Sequence, residues 1–93
     1  MLLSAAFNIT SNMITDLIQD CKLLSLAQSK LLISDRCAWL ENKLKDHGIL
    51  NSRAPLLIVG IYNIRARSHA DLMQKLCQCN KIAKKSALEL AGL

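Results

Sequence analysis

The chain has 93 residues, enough for one domain that buries only about 60–65% of its unfolded surface. It is 52% hydrophobic with a mean hydropathy of +0.23 but has one Trp, one Tyr and one Phe, so its apolar volume is mostly helix-building Leu, Ile and Ala. Three Gly and one Pro give too few turns for an all-β fold, and the whole formal charge of +5 falls in the second half.

Residues 1–46 hold five basic and five acidic side chains. Residues 47–93 hold Arg53, Arg65, Arg67, Lys75, Lys81, Lys84 and Lys85 against Asp71 and Glu89. A surplus of this kind attracts nucleic acid, anionic lipid or an acidic protein, or simply solvates one face.

The opening MLLSAAFNITSNMITD has no basic leader region and turns polar by Asn8, which argues against a signal peptide. Asn8-Ile9-Thr10 has the form of a glycosylation sequon, but without a secretory route it carries no weight. Ser11 or Asn12 then reads as the cap of a first helix. Its apolar positions Met13, Ile14, Leu17, Ile18, Cys21 and Leu24 keep the spacing of one face. Residues 26–33 continue apolar up to Ser34-Asp35, which reads as a break or a new cap. Cys37, Leu40 and Leu44 share the next stripe, with Trp39 beside it. Lys43, Lys45 and His47 suit the negative end of that helix, and Gly48 can close it in the left-handed conformation.

Pro55 suits a first helical turn and opens LLIVGIYNIRAR, residues 56–67. Ile58, Val59, Ile61 and Ile64 are β-branched and would suit a strand. The run with its basic tail is about 13 residues, however, against roughly five or six for an average strand. No second strand-like segment exists to pair with it. A helix is therefore expected, with Gly60 leaving a notch for close packing. The longest apolar run, residues 54–64, is about half of the roughly 20 residues that a membrane span needs. Ser68-His69-Ala70-Asp71 has the form of a capping box with Asp in place of Glu. It opens a helix with Leu72, Met73, Leu76 and Cys77 inside, which Asn80 is expected to end. A last helix follows over residues 82–90. The predicted fold is all-α: four or five short antiparallel helices in one domain, residues 1–93, stacked as hairpins in a tetratricopeptide-like array or small bundle.

Catalytic chemistry is missing. There is no glycine-rich phosphate loop, no HExxH and no G-x-S-x-G, and the two histidines lack an acidic partner at useful spacing. Asp16 and Asp20, four apart, read as a solvated face. Cys21, Cys37, Cys77 and Cys79 have no disulfide-framework spacing, and Cys77-Gln-Cys79 is a poor zinc chelate even with His47 and His69 added. No cofactor, metal or enzymatic activity is expected, and the setting that fits is the cytoplasm.

Pro55-Leu56-Leu57 with Tyr62, then Ser68, Leu72 and Leu76, resembles the last helix pair of the tetratricopeptide-like needle-protein co-chaperones of type III secretion. Asp35, Leu40 and Glu41 lie against the preceding pair, so the resemblance covers residues 25–78. The small residue expected one helix after Gly60 falls on Leu72, a departure from the ordinary repeat register. The resemblance implies a non-catalytic chaperone that holds a helical subunit in its concave face, paired as a heterodimer with a second small chaperone. Trp39, Leu40, Leu56, Val59 and Tyr62 are the partner-binding residues that it implies.

The alternative is a small nucleic-acid-binding regulator. Residues 69–90 can form two helices around a turn at Cys79-Asn80, like a helix-turn-helix, with Lys81, Lys84 and Lys85 on the second. Lys75, Arg65 and Arg67 would extend the basic patch. No Arg, Asn or Gln follows Lys81, so such a helix would position on phosphate rather than read bases.

Overall fold

The computed structural model describes residues 3–48 and 65–91. These form three helices: α1 (Leu3–Cys21), α2 (Leu26–Asp46) and α3 (His69–Ala91). The described residues are thus all-α, as expected, and α2 and α3 each run through a position where a break is predicted, so both are longer than expected. The run at residues 56–64 and its Pro55 lie outside the described residues.

α1 begins well before the expected cap. Thr10 donates its hydroxyl to the Ala6 carbonyl at 2.8 Å, and Thr15 to that of Ser11 at 3.0 Å. Hydroxyls bonded back one turn are compatible with a helix interior, so this polar stretch does not cap the helix but runs through it. Ala6, Met13, Ile14, Leu17 and Cys21 form its buried apolar stripe.

The turn after Cys21 is closed by bonds from Leu23 N to Asp20 O and from Leu24 N to Cys21 O, both 3.2 Å. Ser25 then caps α2. Its hydroxyl accepts from Gln28 N while Gln28 Oε1 accepts from Ser25 N, each at 3.1 Å. This reciprocal pair satisfies two of the donors that a helix start leaves open. The expected break at Ser34-Asp35 is absent, because both side chains are exposed on the outer face of a continuous helix. The inner stripe of Ser29, Ile33, Cys37, Leu40 and Leu44 runs past them without interruption. Gly48, at φ +80°, follows the last turn and donates its N–H to Lys45 O at 2.9 Å. That left-handed residue is the predicted stop.

α3 opens as predicted, with Asp71 N donating to Ser68 Oγ at 3.1 Å. Asp71 reaches back to Arg67 N at 3.3 Å rather than to the Ser68 amide, a variation on the reciprocal box. Lys75 also donates to Asp71 at 3.0 Å, and this bond above all holds the carboxyl below its usual range. The helix then runs through Cys79-Asn80 without a turn. The two short helices expected here are one, and the helix-turn-helix built on them is thereby excluded. The reason lies across the interface: Asn80 is buried, accepting from Ser11 Oγ at 2.9 Å and donating to Thr15 Oγ1 at 3.3 Å. A side chain so engaged has no need to bend back onto its own backbone.

α1 is the central element, packing against α3 most extensively and against α2 on another side. At the end of α1, the Cys21 carbonyl accepts from His69 Nε2 at 2.6 Å, so the C-terminus of α1 meets the N-terminus of α3. The two helices are therefore antiparallel. Ten residues back along α1 and eleven forward along α3, the Ser11–Asn80 bond fixes the same register. Leu72, Leu76, Ala83 and Ala87 complete the inner face of α3, and the small residues near its C-terminus let the helices approach closely.

Asn80→Ala tests whether this residue is a tie or a stop. As a buried tie its loss is expected to destabilise the chain by about 1–3 kcal/mol, since Ser11 loses its partner. An exposed turn residue would instead give a gain of up to roughly 0.7 kcal/mol from helix propensity. Thermal denaturation separates the two by sign.

Candidate groove between the first two helices

Helical periodicity gives α1 a second face. Ile9, Asn12, Met13 and Asp16 recur at three- and four-residue spacing, and Arg36, Trp39 and Lys43 do the same on α2. Together these seven residues line a groove of about 280 Å3. Met13 is almost fully buried, while Trp39 is 43% exposed. Because the short turn makes α1 and α2 antiparallel, Ile9 lies toward the Lys43 end and Asp16 toward the Arg36 end. The Lys43 ammonium lies 5.8 Å from the centre of the Trp39 ring, within reach of a cation–π attraction.

The groove takes in Trp39. Leu40, expected beside it on a binding face, is fully buried in the core. The physical reason is its place on the inner stripe with Cys37 and Leu44. Leu56, Val59 and Tyr62 lie outside the described residues. The α1 wall is not visible in the separate stripes, where Ile9 stands only in a sequon without weight, Met13 in a core stripe and Asp16 on a solvated face. The missed signal was the Ser25-Leu26-Ala27-Gln28 capping box, which places the hairpin turn and so the facing walls.

Among the described residues the predicted basic side chains do not gather into one patch. Arg65 and Arg67 are exposed just before α3 begins. Lys81, Lys84 and Lys85 are exposed on its outer face, at least about 18 Å further along at 1.5 Å per residue. Lys75 is paired with Asp71 and Lys85 lies 3.8 Å from Glu89, so neither is a lone cation.

The four cysteines remain thiols. Among the described residues no cluster of three His, Cys, Asp or Glu is placed to hold a metal. Burial pushes Cys37 up to about 12 and raises Cys79. It also raises Cys21, opposed by the neighbouring Ser29 hydroxyl and assisted by the charge of Asp20. Among the described residues that hydroxyl is buried without a conventional hydrogen-bond partner. Among the described residues, no helix is long and apolar enough to cross a membrane.

No family model matches the chain, nor does any curated protein or solved structure.

Native-state alkylation followed by mass spectrometry is expected to modify Cys77 first, because it alone among the four thiols is exposed. Cys37 should react more than about a hundredfold more slowly, and only through unfolding. Equal rates at Cys37 and Cys77 would contradict the placement of α2 on the core.

Proposed function

We propose that the chain is a non-enzymatic helical binding module, a small chaperone or adaptor that holds a helical segment of a partner protein in the α1–α2 groove. The observation that carries this reading is Trp39, a large aromatic side chain left 43% exposed beside an apolar floor in a chain otherwise poor in aromatics. Tryptophan is among the residues enriched as anchors of protein interfaces. A groove between two helices accepts a third helix by the ridge packing that joins α1 to its neighbours. The resemblance of residues 25–78 to needle-protein co-chaperones suggests the class of cargo, an aggregation-prone helical subunit, and a second small chaperone as heterodimeric companion. The setting would be the cytoplasm.

Nucleic acid remains the second reading in a reduced form. Lys81 and Lys84 share an exposed helix face with Lys85, an arrangement suited to non-specific phosphate contact and not to base readout.

The test is Trp39→Ala in the full chain, measured against the partner that co-purifies with it. Affinity is expected to fall by about 2 kcal/mol, the scale of an interface anchor, while the melting profile stays within about 0.5 kcal/mol of the parent. Unchanged affinity would contradict the groove reading. So would a chain that gains stability with duplex DNA and loses that gain steeply as salt rises.

A further inference from the structure

The chemistry of the groove narrows the kind of segment that it takes, an inference that rests on the binding reading above. Its volume of about 280 Å3 falls just below the roughly 300–1,000 Å3 of sites that enclose a drug-sized ligand. It suits side chains inserted from a larger surface. Its apolar residues, Ile9, Met13 and Trp39, form a strip that an aliphatic row would cover.

The charged lining is uneven. Both cations, Arg36 and Lys43, stand on the α2 wall, seven residues or about 10.5 Å apart, with Trp39 between them. The α1 wall offers Asn12 and a single carboxylate, Asp16, toward the Arg36 end. Among the described residues neither Arg36 nor Asp16 enters an ion pair, and Lys43 is engaged with the Trp39 ring alone. By contrast Lys45, Lys75 and Lys85 are each matched to an acid four residues away on their own helix. The groove therefore carries a net positive lining with the excess on one wall.

We propose that the groove is selective for an amphipathic helix with an aliphatic stripe and an acidic flank, laid so that its carboxylates run along α2. Two carboxylates spaced by about two helical turns would meet Arg36 and Lys43, and the stripe between them would cover Trp39. Asp16 disfavours an acid on the opposite flank near the Arg36 end, so the preferred segment is charged on one side only.

Trp39 is the sole tryptophan, so its emission reports directly on the groove. The full chain would be titrated with three synthetic helical peptides that share one leucine stripe and differ only in a flank of Glu, Gln or Lys. Vesicles containing phosphatidylserine would be titrated in parallel. The Glu peptide is expected to shift the emission and to bind about threefold to tenfold more tightly than the Gln peptide, with the Lys peptide weakest. That preference should shrink between about 0.05 and 0.5 M salt as exposed pairs are screened. The double substitution Arg36→Glu/Lys43→Glu should reverse the order, and Arg36→Gln/Lys43→Gln should erase it. Equal binding of all three peptides would overturn the acidic selectivity and leave the groove reading standing. No response to any peptide, or a response to the vesicles alone, would overturn both.

Discussion

The antiparallel seam between α1 and α3 is the constraint from which the other arrangements follow. Leu17, Ile14, Leu72 and Leu76 supply its apolar burial, each worth about 1.5–3 kcal/mol relative to exposure. Burial of this kind is tolerant of sliding, because one leucine replaces another at little cost. The hydrogen bonds are not. His69 Nε2 reaches the Cys21 carbonyl and Asn80 joins Ser11 and Thr15 only when the helices are aligned as they are. The polar contacts add less energy, about 1 kcal/mol each, but a shift of one residue would leave Ser11 and Asn80 buried without partners. The leucines provide adhesion and the small polar side chains set the register.

With α1 held in this way, the groove is a consequence of helical geometry. A helix of 19 residues has enough faces for Ser11 and Ile14 to turn inward while Ile9, Asn12 and Asp16 remain beside α2. Met13 belongs to both settings: it is buried in the core cluster and also forms the groove floor. The candidate binding surface is therefore built directly on the core and does not depend on a loop. A rigid floor lowers the ordering cost of binding, which suits recognition of a partner segment that must itself become ordered.

Much of this was legible in the residues, and the failures share one cause. Gly48, Ser68 and Asp71 were readable because each acts within a few residues of itself, through a left-handed turn or a local cap. Ser11, Ser34-Asp35 and Asn80 also looked like punctuation but sit inside helices. Ser11 and Asn80 satisfy each other across 69 residues of sequence, and Ser34-Asp35 face outward beside an unbroken stripe. A long-range partner leaves no mark on local spacing. The resemblance implies a binding role for Trp39 and Leu40 alike, yet Trp39 lies at the groove and Leu40, its neighbour, in the core, because the stripe turns inward between them.

Ser11 and Asn80 act as one unit in setting the register, and a double-mutant cycle measures this most directly. Ser11→Ala, Asn80→Ala and the double variant would be compared by chemical denaturation. Coupled partners give a double variant less destabilised than the sum of the singles, with an interaction energy of at least about 0.5–1 kcal/mol. Additive losses would mean that the two side chains are buried independently, and that the register of α3 on α1 is set by the leucines alone.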